Sequence, residues 1–340
     1  MNDLAQVGIV LQQHYNNPQR LGQENLKCLL NIDLNRLDFV IFDIKDISGR
    51  LFLDTTPLNL GNIVVYDYFP YIHQILELCK DYNIIIYLGI PCFHDETIKY
   101  ANVMFADGTI FKGRICPSSS CYLDKFIKFL NNIEQTYTNY RFFLPFFRYP
   151  PASKGFSCFC DSCRNKWMKC YGYDAVYKNI IGDFRQNMQW HQFKCNNMEV
   201  FLATVRAKIK SYLAVEVDVD PVKDYGEGLY INDGQDIELL SKHVDEYIIH
   251  FYDKSGHKIF RESIWRNNGM DASFPIFFYL QKLQKKYSLF YWSNDNLDKS
   301  YIEKYRFANY IGAQTAFFLV NSNQTGCINK LLDWRSKNEK

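Results

Sequence analysis

Short β-rich apolar runs recur eight times along the 340-residue chain, separated by segments with helical spacing, and this alternation predicts parallel strands joined by crossover helices. The runs are Val7 to Gln13, Asp38 to Asp46, Asn83 to Pro91, Tyr140 to Pro150, Ala214 to Pro221, Glu246 to Asp253, Ser288 to Asp295 and Ala313 to Asn321. Between the third and fourth, Leu123, Phe126, Ile127, Leu130 and Ile133 fall on one helical face with Ser120 as its cap. Met198, Phe201, Leu202, Val205, Ile209 and Leu213 repeat the spacing before the fifth. Eight such units predict a (β/α)8 TIM barrel, one domain over residues 1–340. The runner-up is an open doubly wound sheet, which does not need all eight strands. Two connections are too long for a minimal barrel: Cys92 to Ser119, and a Cys-rich insertion at about 151–195. Both follow strand carboxyl ends, the face on which such barrels build their sites.

The second connection carries the most specific local signal, Cys158-x-Cys160-x-x-Cys163. Three thiolates this close wrap one tetrahedral zinc when a fourth ligand arrives from elsewhere; bare reduced thiols so spaced would be open to oxidation. Cys116, in the connection after the third run, is the favoured fourth ligand and His191 the alternative. Three or four sulfurs leave no open position, so the zinc is expected to be structural, pinning two long loops beside the barrel mouth. The competing reading is a set of plain thiols in a loop.

In the second run, period two puts Asp43 and Lys45 on one face and Asp46 on the other. An acid and a base sharing a barrel interior are expected to pair, because unpaired charge is costly there. They form either a substrate-binding polar layer at the mouth or a structural ion pair. In the fifth run, Glu216, Asp218 and Asp220 share one face and three valines the other. The valines suit the helix-facing side, which aims the carboxylates into the barrel, roughly 6.5–7 Å apart along the strand. Like charge at that distance raises at least one pKa and leaves an acid beside a base, as glycoside hydrolysis requires. The alternative is an acidic face neutralised by Lys45 or open to solvent. At other strand ends Arg148, Tyr149, His250, Tyr252 and Trp292 are candidate substrate contacts, Trp292 as a stacking platform for a sugar; the bland reading of each is core or rim.

Composition narrows the classes. With 47% apolar residues a sizeable core is available, and 22% charged residues at net +2 argue against a dedicated nucleic-acid or membrane-surface protein. Eleven cysteines, an odd total with one tight cluster, fit reduced thiols and a metal better than a disulfide framework. The amino terminus shows no secretion signal, and no apolar run reaches the length of a membrane span, so a cytoplasmic protein is expected. There is no G-x-G-x-x-G or G-x-x-x-x-G-K-[ST] loop to cradle a nucleotide phosphate.

These residues also resemble a family. Asp43-Ile44-Lys45-Asp46-Ile47-Ser48-Gly49-Arg50, Cys116-Pro117, Phe147-Arg148-Tyr149-Pro150 and Cys158-Phe159-Cys160-Asp161-Ser162-Cys163-Arg164 are similar, in order, to landmarks of glycoside-hydrolase-like (β/α)8 barrels. Trp190-His191-Gln192-Phe193-Lys194 through Val205-Arg206 resembles the helix that follows the cysteines there, and the cysteine loop resembles the zinc loop of the family 42 β-galactosidases. The likeness covers about residues 7–220 and implies a carbohydrate ligand. One position departs from it: the fourth strand of those barrels reads Leu-Asp-Tyr-Ile-Arg-Tyr-Pro-like, and the acidic position here is Pro145. Queuine-type tRNA transglycosylases share a barrel and a C-x-C-x-x-C with a distant His, but their cysteines sit late in the chain and no matching nucleophile motif is present. The expected activity is therefore glycoside hydrolysis on the acids of strand five, with Asp43 and Lys45 positioning hydroxyls. The alternative is a catalytically silent barrel that binds a glycan or a protein partner.

Overall fold

The computed structural model describes residues 4–11, 18–53, 63–137, 140–150, 156–219, 233–251, 274–291 and 298–338. Eight parallel strands close into a barrel in sequence order: β1 (Gln6–Leu11), β2 (Phe39–Asp43), β3 (Ile85–Gly89), β4 (Arg141–Leu144), β5 (Leu213–Val219), β6 (Glu246–Phe251), β7 (Lys286–Tyr291) and β8 (Thr315–Val320). β8 returns to β1 over six aligned pairs, Gln6 opposite Thr315 through Leu11 opposite Val320, so no strand edge is left exposed. Every strand is followed by helix, from Pro18–Leu30 after β1 to Thr325–Asn338 after β8. The chain is a (β/α)8 barrel, and each of the eight apolar runs overlaps its strand, with β1 and β5 beginning one residue and β7 two residues before the run.

Period-two alternation sorts the strand residues into two cores. Val10, Phe39, Ile41, Tyr87, Phe143, Ala214, Ile248, Phe290 and Phe317 fill the barrel interior. Their neighbours, Ile9, Val40, Leu88, Val215, Val217 and Ile249 among them, pack outward against the helices. Val215 and Val217 of β5 thus face the helices and Glu216 faces inward, where it is buried. At the amino-terminal end of the barrel a buried Glu246 accepts hydrogen bonds from Tyr87 Oη (2.6 Å), Tyr212 Oη (3.1 Å) and the Ser288 hydroxyl. The Arg141 guanidinium lies 4.2 Å from the Tyr212 ring centre and donates to Tyr87 Oη at 2.6 Å. This closed network satisfies a charge that would otherwise be expensive to bury.

Local boundaries depart from the sequence reading in three further places. Ser119, not Ser120, caps the helix Ser120–Thr136, its hydroxyl accepting from Tyr122 N at 3.3 Å. The helix carrying Met198 to Val205 ends at Arg206; Ile209 is buried beyond it, and Leu213 already opens β5. The apolar run at 140–150 is extended only to Leu144, because Phe146 takes a left-handed backbone (φ 56°) that turns the chain after Pro145. The two long connections contain structure of their own. The first holds the antiparallel pair Asn102–Met104 and Ile110–Ile115; the second runs through helices Asp161–Tyr171 and Tyr177–Gly182 into the crossover helix Phe184–Arg206.

Gly8 marks a tight point in the aromatic interior: a Cβ there would lie 2.3 Å from Phe317 Cδ1. Gly8→Ala should lower stability by about 1–3 kcal/mol through overpacking. Most of that loss should vanish in a Phe317→Leu background, read by chemical denaturation of the two single variants and the double. Equal losses in both backgrounds would show that this contact does not limit the wall.

Candidate functional site at the barrel mouth

The carboxyl ends of β2 to β6 bring Asp43, Pro145, Phe146, Glu216 and His250 together. Glu216 has both oxygens engaged: Oε1 lies 3.2 Å from His250 Nδ1 and Oε2 accepts the Phe146 N–H at 2.6 Å. The left-handed turn at Phe146 aims that N–H into the barrel. Burial alone pushes the Glu216 pKa up, but the His250 hydrogen bond and charge, the Arg148 charge and the Phe146 N–H together outweigh it and hold the carboxyl below its usual range. His250 stacks on Phe290 with ring centres 4.5 Å apart, which fixes the imidazole plane.

Asp43 is the opposite case. Burial, then the charges of Glu216 and Asp46, raise its pKa well above the ordinary aspartate value, against a smaller lowering by Lys45. Its Oδ1 is buried with no hydrogen-bond partner among the described residues. Gly89 stands opposite it in the β2–β3 register, and a Cβ at Gly89 would lie 1.8 Å from that oxygen. The glycine therefore creates the space in which the Asp43 carboxyl sits. One strongly raised and one lowered carboxyl, close enough to perturb each other, form the pattern expected of an acid and a base at one site.

Lys45 and Asp46 have other commitments. Lys45 does not pair with Asp43: its ammonium meets Asp95 Oδ2 at 2.8 Å, both groups almost completely buried, and so ties the β2 loop to the β3 loop. Asp95 lies far enough along the chain that no spacing in the β2 run could reveal it. Asp46 is buried and holds its own turn, accepting Arg50 Nε at 2.6 Å and Arg50 N at 2.9 Å. Tyr149 is turned away from the mouth. It is 1% exposed, its N–H donates to the Asp233 carbonyl at 2.9 Å, and burial together with the nearby sulfurs of Cys163, Cys116 and Cys158 raises its hydroxyl pKa.

Arg148 remains at the mouth, with its guanidinium 6.0 Å from the centre of the Phe146 ring. A residue absent from the sequence reading joins it: Arg114, from the strand Ile110–Ile115, lies 5.5 Å from the same ring centre. His94 meets the Phe146 ring edge-on at 5.4 Å. Burial and the neighbouring Arg148 charge bring the Arg114 pKa down to about 10, despite Glu216 and Asp233. No motif singles out Arg114; the one available clue was its position two residues before Cys116. Asp220, Tyr252 and Trp292 lie outside the described residues, as does the side chain of Asp218, whose backbone pairs with His250 in the β5–β6 ladder.

Beside the mouth, Cys116, Cys158, Cys160 and Cys163 converge, their four sulfurs all within 4.8 Å of one another. Cys116 Sγ is 3.4 Å from Cys163 Sγ and 3.5 Å from Cys160 Sγ. Tetrahedral coordination at about 2.3 Å separates sulfurs by roughly 3.8 Å, so these side chains need only a slight expansion to hold an ion. The surroundings suit thiolates: Met104 N points to Cys158 Sγ and Ser118 N to Cys116 Sγ, each at 3.4 Å, with the Ser118 hydroxyl 3.3 Å from Cys163 Sγ. Hydrogen bonding among the sulfurs raises Cys116 and Cys163 and lowers Cys160, so a bare cluster would give up protons unevenly. His191 is not part of the cluster; its Nε2 lies 3.1 Å from Asn187 Oδ1. A cavity of about 290 Å³ beside the sulfurs, lined by Lys99, Asn102, Met104, Ser119 and Cys160, lies outside the barrel mouth. Among the described residues no helix is long and apolar enough to cross a membrane.

No protein-family model and no curated protein matches this chain, so the likeness to the family 42 zinc loop rests on cysteine spacing alone. Solved structures do match. The glycoside hydrolase domain of PgaB (BpsB) from Bordetella bronchiseptica superposes with a TM-score of 0.68 at 10% identity, over 97% of this chain and 99% of that one. The catalytic domain of β-amylase from Paenibacillus polymyxa gives 0.61 at 11% identity, over 99% and 100%. Alpha-L-fucosidase isoenzyme 2 from Paenibacillus thiaminolyticus gives 0.61 at 12% identity, over 99% of this chain and 50% of that one. At these identities the likeness is one of fold, the (β/α)8 barrel.

Proposed function

We propose that the barrel mouth is a carbohydrate-processing site of glycosidase type, in which Asp43 serves as the acid and Glu216 as the base or charge-stabilising carboxylate. The observation that carries this reading is the buried Asp43–Glu216 pair, whose environments push the two pKa values apart. A protonated Asp43 can donate to a leaving-group oxygen; an ionised Glu216, steadied by His250 and the Phe146 N–H, can activate water or stabilise positive charge at a sugar carbon. The fold it shares with solved glycosidases is consistent with a carbohydrate ligand. Asp218 and Asp220 are further carboxylates of the same strand, with Tyr252 and Trp292 as proposed rim contacts. A silent, glycan-binding barrel is the second reading, favoured by Pro145 at the position where similar barrels carry an acid.

We further assign the four cysteines a structural zinc, held by Cys116, Cys158, Cys160 and Cys163. Four sulfur ligands would leave it no open position, so its contribution would be to stability and loop placement. We take residues 1–340 as one domain. Eleven free cysteines suit a reducing compartment, and we place the protein in the cytoplasm.

The activity reading is tested by a hydrolysis screen of zinc-loaded protein on aryl glycosides and oligosaccharides. Asp43→Asn and Glu216→Gln should each reduce kcat/KM by about 100-fold or more while melting temperature and zinc content are retained. The pH profile should fall on its acid side below the ordinary glutamate range, as Glu216 protonates, and on its alkaline side well above the ordinary aspartate range, as Asp43 ionises. Turnover that survives both substitutions would sink the assignment.

Stability offers a check that needs no substrate. Because the folded pKa of Asp43 is raised, folding takes up a proton between the ordinary aspartate value and the folded value, and wild-type stability falls as pH climbs through that window. Asp43→Asn should therefore gain on wild type across the window and hold a level advantage above it. A pH-independent difference in denaturation midpoints would argue against a perturbed Asp43.

For the metal, elemental analysis should find about one zinc per chain, with uptake weakening as pH falls because binding releases thiol protons. Cys116→Ser should lose zinc and melting temperature, and His191→Ala should keep its zinc. Zinc loss in the histidine variant alone would reverse the ligand assignment.

A further inference from the structure

The connection after β4 carries an apolar face that no described residue covers. In the short helix Tyr177–Gly182, Tyr177 and Ile181 lie four residues apart on one side, and Phe184 and Met188 do the same in the crossover helix Phe184–Arg206. Only Gly182 and Asp183 separate Ile181 from Phe184, and Val176 extends the face at its other end. All five side chains are exposed, Ile181 at 51% and Phe184 at 82%. So many large apolar groups in water within one short stretch mark a contact surface, unlike the single apolar residues scattered over any protein.

The charge around the face identifies what covers it. Residues 164–188 contain five basic side chains, Arg164, Lys166, Lys169, Lys178 and Arg185, against Asp174 and Asp183, although the chain as a whole is near balance. None of the five is ion-paired with a described residue. Asp183 is engaged in capping its helix, where it accepts from Gln186 N at 3.0 Å. Lys178 directly follows Tyr177 and Arg185 directly follows Phe184, so a cation flanks each aromatic side chain of the face. Ring contacts of Tyr177 with Phe159, and of Phe159 and Trp167 with Trp190, hold the three helices of the connection in one lobe. A second copy seated here about a two-fold axis would set basic residues against basic ones, which like charge disfavours. An anionic lipid surface suits both components, with hydrocarbon for the apolar groups and negative headgroups for the cations.

The position of the face is also favourable. The 23 residues of Phe184–Arg206 span about 34 Å, whereas the seven residues of β5 span about 23 Å. The last turn is tied to the foot of the barrel, where Arg206 donates to the Ser211 carbonyl and pairs with Asp245, just ahead of β5 and β6. The first turns, with Phe184 and Met188, therefore reach past the strand ends on the mouth side. We propose that this face docks the protein on a membrane surface bearing anionic lipids, with Tyr177, Ile181 and Phe184 entering the boundary between headgroups and acyl chains and the basic side chains meeting the headgroups. The inference is independent of the carbohydrate reading.

The test is co-sedimentation of the full-length chain with vesicles of phosphatidylcholine alone, and of phosphatidylcholine and phosphatidylserine in equal parts. The chain should bind the phosphatidylserine vesicles about tenfold or more tightly than the neutral ones, and the preference should shrink as salt rises. Ile181→Ser with Phe184→Ser should abolish binding at unchanged melting temperature, because both side chains already face water in the free protein. Lys178→Gln with Arg185→Gln should weaken binding to the phosphatidylserine vesicles by about tenfold or more. Leu30→Ser, at an exposed apolar residue on the helix after β1, should leave binding unchanged. Binding to neither vesicle, equal binding to both, binding that survives either double variant, or an equal loss in Leu30→Ser would overturn the proposal. A chain that is dimeric by sedimentation velocity, becomes monomeric in the apolar double variant and ignores the vesicles would overturn it in favour of a second copy on this face.

Discussion

The gathering of four sulfurs from two separate connections is the constraint on which the mouth of this barrel depends. Loops as long as those after β3 and β4 would ordinarily sample many arrangements, and an ion held by Cys116, Cys158, Cys160 and Cys163 would remove most of that freedom. The consequence reaches the barrel through its neighbours. Tyr149 is wedged against the cysteines, its backbone bonded to the carbonyl of Asp233. That fixes the segment from Pro145 to Arg148, and with it the turned N–H of Phe146 that meets Glu216. On the other loop, the same cluster anchors the strand that delivers Arg114. The buried Lys45–Asp95 pair joins the β2 and β3 loops around the mouth and needs no metal to do so.

Inside the barrel, polarity is stratified along the axis. The amino-terminal end holds Glu246 in a ring of hydroxyls with Arg141 close by; the middle is aromatic and aliphatic; the carboxyl end carries Asp43 and Glu216. The difference between the two acidic layers is satisfaction. Glu246 accepts from three hydroxyls, whereas Asp43 has a buried oxygen with no partner among the described residues. A chain that can close a polar network this well at one end and leaves one open at the other is accepting instability where a ligand is expected to complete the bonding.

Much of this was legible from residue order. Strand patterning is a local property, so eight apolar runs were enough to predict a barrel, and the valine face of β5 correctly sent Glu216 inward. The cysteine spacing likewise pointed to Cys116 as the fourth member, because both loops leave adjacent strands. Partnerships between distant residues were not legible. Period two placed Lys45 beside Asp43, yet the ammonium reaches the β3 loop, because Asp95 offers it a fully buried carboxylate. Asp46, which period two set on the opposite face, closes its own turn through Arg50, a partnership four residues away that the strand pattern does not carry. The role of Gly89 was hidden because a glycine's meaning lies in what occupies its missing side chain, here an aspartate one strand away.

The backbone at Pro145 sets the arrangement at the end of β4. An acid there would project from the end of β4; the proline instead ends the strand, and the left-handed Phe146 beyond it presents an N–H to a carboxylate from β5. The end of the fourth strand thus offers a donor, and the negative charge at this corner of the mouth is supplied by Glu216, one strand along. Its position also sets its surroundings. On β5 it comes within reach of His250 on the adjoining strand and of the Arg148 charge, which together lower its pKa, and it stands near enough to Asp43 to raise that one. The proline at the strand end, read with the backbone turn that follows it, therefore connects the geometry of one N–H to the asymmetry of the carboxylate pair.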